Sequence, residues 1–329
     1  MTVRFGVLGA GRIGKVHAKA VSGNPDAKLV AVADAMADAA TAVATQYAAE
    51  VRSISQIEVA NDIDAVIICT PTDTHADLIE RFSRAGKAIF CEKPVDLDAQ
   101  RVRECLKVVE ETGAKLMVGF NRRFDPHFMA VRKAIDDGRI GTVEMVTITS
   151  RDPGAPPVDY IKRSGGIFRD MTIHDFDMAR FLLGEEISSV SAHAAVLVDP
   201  AIGEAGDYDS ATVILETASG RQAVITNSRR ATYGYDQRIE VHGSKGVVSA
   251  ENQRPVSIEI ANGDGYTRPP LHDFFMTRYT EAYANEIASF ISAIEKGSAI
   301  SPNGTDGLLA LQLADAALAS IKTGKRVKP

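Results

Sequence analysis

The first third of the chain alternates between short runs that are apolar throughout and longer stretches with helical spacing. Residues 3–8, 29–33, 64–70, 87–91 and 115–120 are continuous apolar runs. Between them, residues 15–22, 37–49, 74–85 and 98–112 read as helices. In the last of these Val102, Cys105, Leu106 and Val109 share one face and Gly113 stops the helix, while Thr74 stands as a candidate N-cap. Strands with no polar side belong to a parallel sheet covered on both faces, because an exposed face would select alternation.

Near Asn121 the pattern changes. A helix is expected over 124–137, then an alternating run over 142–149. A proline-rich loop (Pro153, Pro156, Pro157) and Gly165-Gly166 precede a helix expected from about 171 to 183. Alternating runs at 188–198, 209–216, 222–228, 238–242 and 256–261 are separated by glycine-bearing turns, and helices over 279–296 and 305–322 close the chain. Alternation with tight turns predicts an open, largely antiparallel sheet. The fold class is α/β, with two domains expected. Residues 1–121 form a doubly wound parallel domain, and 122–329 an α+β domain whose C-terminal helix is free to pack back on the first.

The turn after the first strand reads Gly9-Ala10-Gly11-Arg12-Ile13-Gly14, and Asp34 ends the second strand about 20 residues further on. Glycine-rich turns are common, but strand, glycines, helix and acid in this order form the fingerprint of a Rossmann dinucleotide site. Gly9 permits the tight turn, Gly11 the approach of a pyrophosphate, and Gly14 close packing of helix on strand. Arg12 and Ile13 open the helix whose N–H groups face the phosphates. Asp34 can accept from ribose hydroxyls and would repel a 2′-phosphate, and Ala35-Met36-Ala37 brings no cation. The cofactor expected is NAD.

Composition narrows the partners. A net charge of −6 argues against nucleic acid or an anionic membrane. No apolar stretch reaches membrane-spanning length, and the first strand at Val3 leaves no room for a leader, so a cytoplasmic protein is expected. Cys69, Cys91 and Cys105 have no metal-ligand spacing, and no metal is expected.

Two places could carry chemistry. Glu92-Lys93-Pro94 follows a strand's carboxyl end, where ligands of open α/β sheets sit. Position alone leaves Lys93 open between a functional group and a solvated loop lysine. Asp170 and His174 lie four apart, so on one helix they would share a face. Spacing leaves that pair open between an acid–base couple and a helix N-cap followed by a partly buried histidine. No tyrosine has a lysine four residues on, and no cysteine/histidine cluster could hold a catalytic zinc, which excludes two common dehydrogenase designs.

Taken together, Gly9–Gly14, Thr70-Pro71-Thr72 with His75, Glu92-Lys93-Pro94, residues 119–124 (GFNRRF) and Asp170-x-x-x-His174 resemble the glucose-fructose oxidoreductase/inositol dehydrogenase (Gfo/Idh/MocA) family. The resemblance is strongest to its inositol-oxidising members. It implies NAD-dependent oxidation of a secondary hydroxyl of a cyclic polyol, with myo-inositol to scyllo-inosose as the first expectation. It makes Lys93, Asp170 and His174 the catalytic set, with His174 the base, Asp170 its partner and Lys93 hydrogen-bonded to the reacting hydroxyl. Gly9, Gly11, Arg12, Ile13, Gly14 and Asp34 would hold the adenosine and phosphate end of NAD. Thr70, Pro71, His75, Glu92 and Lys93 would line the nicotinamide end. A polyol needs donors and acceptors from several directions, for which Asn121, Arg123, Asp152, Thr172, Tyr235 and Tyr283 are the candidates. A homotetramer is implied, built on the exposed face of the second domain's sheet. The alternatives are a relative acting on scyllo-inositol or an aldose, and a non-catalytic regulator that binds NAD and a sugar.

Overall fold

The computed structural model describes residues 2–329. They divide into two compact units. One holds the chain up to Phe124 together with Glu281–Leu311, the other Asp125–Thr280 together with Gln312–Pro329.

The first unit runs β1 (Val3–Leu8), α1 (Arg12–Ser22), β2 (Ala27–Ala33), α2 (Ala37–Gln46), β3 (Glu50–Val51), α3 (Ile54–Glu58), β4 (Ala65–Ile68), α4 (His75–Arg84), β5 (Ala88–Glu92), α5 (Ala99–Thr112) and β6 (Leu116–Gly119). Its six strands are all parallel, in the order β3-β2-β1-β4-β5-β6. The order reverses direction between β1 and β4, which opens a crevice at their carboxyl ends. β3 and α3 gave no signal in the hydrophobic pattern, being too short to show a period. The late helix Thr280–Lys296 contributes Ile287, Phe290 and Ile291 to this unit's core. There the Phe290 ring meets Phe5 at 6.3 Å and Phe90 at 6.0 Å between centroids. Each such buried side chain contributes roughly 1.5–3 kcal/mol.

The second unit continues with α6 (Pro126–Asp136), β7 (Val143–Arg151), α7 (Val158–Ser164), α8 (Gly166–Asp170), α9 (Ile173–Leu183), β8 (Ile187–Ala195), α10 (Pro200–Glu204), β9 (Ser210–Thr217), β10 (Gln222–Ser228), β11 (Asp236–Gly243) and β12 (Gly246–Ala250). Asp125 caps α6 by accepting from the N–H groups of His127 and Phe128. The six strands form one sheet, β12-β11-β7-β10-β9-β8. Four of its five pairings are antiparallel, but β7 and β10 run parallel, so the sheet is mixed. One face buries Val146, Ile148, Ile225 and Val241 and carries α9 on β7 and β10. The other leaves Met145, Ile214 and Val247 about half exposed.

Two expectations change. The strand expected over 256–261 shrinks to Ile260–Asn262, paired only with Gly265–Thr267 in a separate hairpin. The helix expected from about 171 is α9, starting at Ile173, but a separate short helix, α8, precedes it and ends at Asp170, so Asp170 and His174 are not on one helix.

Candidate active site

The dinucleotide fingerprint lies at the carboxyl end of β1. Gly9 has φ +96°, and a Cβ there would stand 2.6 Å from the Cys69 carbonyl oxygen. A Cβ on Gly14 would come within 1.9 Å of the Gly9 carbonyl oxygen, so α1 can close on the loop only over a glycine. Gly11, at the N-cap of α1, is different. Nothing lies within 4 Å of where its Cβ would be, and no side chain caps the helix. The open side of the loop is therefore where a phosphate can approach the helix N-terminus. The Asp34 carboxylate accepts from the N–H groups of Ala10 (2.6 Å) and Met36 (2.7 Å). Its remaining lone pairs can take ribose hydroxyls. Open glycine, free helix end and anchored carboxylate together fit a dinucleotide with an unphosphorylated 2′-hydroxyl.

The loops after β4 and β5 are tied by histidines. His75 is buried, with Nδ1 2.8 Å from the Pro94 carbonyl oxygen and Nε2 2.8 Å from that of Thr70. Its ring thus spans the Thr70-Pro71 and Lys93-Pro94 segments. Thr74 stands at the N-cap of α4 but does not cap it. Its hydroxyl donates instead to the Pro71 carbonyl at 2.7 Å and meets the Thr70 hydroxyl at 2.6 Å. Glu92 turns inward, with Oε1 2.6 Å from Nε2 of the fully buried His17. Gly119 pairs with Glu92 across β5 and β6, and a Cβ there would lie 3.2 Å from the Glu92 carboxyl group. Lys93 sits between these two anchored neighbours, joined to Pro94 by a cis peptide bond.

Among the substrate candidates in this unit, Asn121 is buried in the turn after β6. Arg123 donates to Asp306 at 3.0 Å and to the Ser301 hydroxyl at 3.3 Å. Tyr283 is buried edge-on to His17, ring centroids 5.6 Å apart.

In the second unit Asp170 ends α8, and the N-cap position of α9 belongs to Thr172. Asp170 is therefore not a cap. It accepts from the Tyr160 hydroxyl at 2.8 Å and faces both terminal nitrogens of Arg229 at 3.4 Å. Arg229 is only 1% exposed and also faces Asp207 at 3.6 Å. Burial pushes the Asp207 carboxyl above its ordinary value. Gly166 makes room for that carboxyl. Asp207 accepts from the Ile167 N–H at 3.0 Å, and a Cβ on Gly166 would lie 2.6 Å from it.

His174 opens α9, whose first turn is pinned from behind. The buried Asp175 accepts from the Ser150 hydroxyl at 2.6 Å and the Asn227 amide at 2.8 Å. The Thr172 hydroxyl, fully buried, donates to Asn227 at 2.8 Å and so is engaged inside this network. Asp152 follows β7 half-buried, its N–H on the Ser228 carbonyl at 2.9 Å. Tyr235 is packed edge-on between Phe274 (5.7 Å) and Tyr279 (6.0 Å).

Residues 3–120 match the family described as an oxidoreductase family with an NAD-binding Rossmann fold, and residues 128–249 match the GFO/IDH/MocA C-terminal domain. The chain is 81% identical over 327 residues to an inositol 2-dehydrogenase of Rhizobium meliloti, covering 99% of both. The chain belongs to the Gfo/Idh/MocA family. A myo-inositol dehydrogenase structure from Corynebacterium glutamicum superimposes with a TM-score of 0.96 at 44% identity, covering 100% of this chain and 99% of that one. A scyllo-inositol dehydrogenase from Lactobacillus casei, solved with NAD(H) and scyllo-inositol bound, gives 0.93 at 28% identity with the same coverage.

Three groups in this Gfo/Idh/MocA chain escaped the sequence reading, though each left a trace. His17 falls one turn after Gly14 on the helix that the fingerprint itself defines. Glu286 interrupts the buried stripe Ala282, Tyr283, Ile287, Phe290 of helix Thr280–Lys296. Arg229 continues the inward alternation Ala223, Ile225, Asn227 of β10. A charge at a position whose period predicts burial was the signal in the last two cases.

Proposed function

We propose that this protein is an NAD-dependent dehydrogenase that oxidises a secondary hydroxyl of a cyclic polyol, converting myo-inositol to scyllo-inosose. The observation that carries this reading is the 81% identity to an inositol 2-dehydrogenase across 99% of both chains. NAD, when bound, supplies the acceptor for the hydride leaving the carbinol carbon. The chain's own residues handle position and the proton. His174 takes the hydroxyl proton, since imidazole ionises in the range where proton transfer near neutrality is efficient. Asp170, held by Tyr160 and Arg229, is the partner that supports the resulting imidazolium. Lys93 hydrogen-bonds the reacting hydroxyl. Asn121, Arg123, Asp152, Thr172, Tyr235 and Tyr283 are the candidates for holding the substrate's other hydroxyls.

Oxidation of scyllo-inositol is the second reading, favoured by the likeness to the Lactobacillus casei enzyme and weakened by its lower identity of 28%. The assembly proposed is a cytoplasmic homotetramer, in line with three free cysteines. Its contact surface is the exposed sheet face bearing Met145, Ile214 and Val247. Among the described residues no helix is long and apolar enough to cross a membrane.

The test is NADH absorbance with NAD and a panel of inositols and aldoses. Highest kcat/KM is expected on myo-inositol. Lys93→Met and His174→Ala should each lower turnover by roughly 10²–10⁴-fold while leaving NAD affinity nearly unchanged. A parent enzyme that binds NAD and a sugar yet turns over none of the panel would make the protein a sensor instead.

A further inference from the structure

The first unit contains a group of ionisable side chains of which two, His17 and Glu286, have no place in the chemistry above. His17 on α1, Glu92 at the end of β5 and Glu286 on helix Thr280–Lys296 bring ligand atoms within 4.8 Å of one another. His17 and Glu286 are fully buried. Both carboxyl oxygens of Glu286, and Nδ1 of His17, lack a hydrogen-bond partner among the described residues. Apolar rings complete the walls. Phe90 lies 4.8 Å and Tyr283 5.6 Å from the His17 ring, centroid to centroid. The titratable groups that face Glu286 are Glu92 and His17, with the half-buried Cys69 near both carboxyls and Tyr283 on its own helix.

An ionised carboxylate with neither a cation nor a donor is costly in such surroundings. Burial first, and then the charge of Glu92, push the Glu286 carboxyl well above its ordinary value. Burial and the absence of a cation thus favour the protonated form, which has one O–H to give. A divalent cation would be the other way to satisfy two carboxylates and an imidazole. The contact of 2.6 Å between His17 Nε2 and Glu92 Oε1 is that of a shared proton, not of two ligands around a metal.

We propose that Glu286 is a positioning residue for Lys93, donating its proton into the His17–Glu92 pair through one bridging water, and so fixing the end of β5. The backbone on either side of Lys93 is already held by a buried histidine, Glu92 through His17 and the Pro94 carbonyl through His75. The upstream tether ends on the Glu92 carboxylate, and the protonated Glu286, with no partner of its own, is the donor close to it. The inference rests on the reading of Lys93 as a catalytic residue.

The experiment compares Glu286→Gln, Glu286→Leu and Lys93→Met with the parent holoenzyme. Gln keeps a donor without a titrating group, so it should hold kcat within about twofold, whereas Leu should lower kcat by roughly 10-fold or more with NAD affinity unchanged. Difference infrared spectra, parent against Glu286→Gln, should show the carbonyl band of a protonated carboxyl at about pH 8, far above ordinary carboxyl titration. Parent-like kcat in Glu286→Leu overturns the proposal. So does a Gln variant as slow as Leu, the absence of the infrared band, or a stoichiometric divalent metal that the Gln variant loses. If Leu does not fold, the Gln variant and the band decide. Should Lys93→Met alone keep the parent rate, the catalytic reading of Lys93 fails while the infrared band still reports on Glu286.

Discussion

The dinucleotide loop and the Asp170/His174 region are built in opposite ways. Gly9–Gly14 is a local structure. Its shape comes from the absence of side chains, the groups it can offer a phosphate are backbone N–H groups, and its one carboxylate, Asp34, is held by N–H groups of Ala10 and Met36. The Asp170/His174 region is assembled from distant segments. Asp170 is placed by Tyr160 and Arg229, and the turn carrying His174 by Ser150, Thr172, Asp175 and Asn227. A backbone cradle is written in contiguous residues, whereas a side-chain cradle depends on which strands come to lie side by side. β7 and β10, parallel neighbours although 70 residues of chain lie between Arg151 and Gln222, bring Ser150 opposite Asn227.

The largest effect should come from the long-range cradle. Arg229→Met removes the cation shared by Asp170 and Asp207 and should cost about 3–5 kcal/mol of stability, as expected when one partner of a buried ion pair is deleted. Urea unfolding measures it. A loss below 1 kcal/mol would mean that Asp170 is placed by other contacts, and the contrast between the two regions would weaken.

The local cradle makes a sharper, smaller prediction, because its glycines have separable duties. Gly14→Ala must push against the Gly9 backbone and should cost about 1–3 kcal/mol in the absence of cofactor. Gly11→Ala meets nothing within 4 Å. It should leave stability within about 0.5 kcal/mol of the parent yet weaken NAD binding. Equal stability losses in the two variants, followed by thermal unfolding with and without NAD, would show that Gly11 is structural after all.

The smallest effect per step concerns the buried acid beneath the Lys93 loop. With its native ionisation raised above the ordinary 4.5, Glu286 keeps its proton while the unfolded chain gives it up. Native protein then binds more protons than unfolded, so this group's contribution to stability falls as pH rises. Glu286→Gln should therefore gain on the parent by about 1.4 kcal/mol for each pH unit above the ordinary carboxyl range, until native Glu286 itself ionises. Denaturant midpoints at a series of pH values read the difference. Parallel curves for the two proteins would mean that Glu286 is ionised in the native state.

Much of this molecule was legible in the chain alone. The continuous apolar runs specified a parallel sheet, and the glycine spacing the tight turn that leads from β1 into α1, because each depends on residues near one another in sequence. Period-2 runs likewise announced the second sheet, though not that β7 and β10 run parallel within it, since alternation is the same in either direction. The short β3 and α3, and the break between α8 and α9, had too few residues to show a period. What only the tertiary structure decided is the company each polar group keeps. Asp170 stands against Arg229 rather than capping a helix, Gly166 makes room for Asp207, and Glu92 turns inward to His17 with Glu286 close by. Those contacts link residues from 41 to 194 positions apart. No local pattern encodes them, because burial and partners are fixed only when separate elements pack.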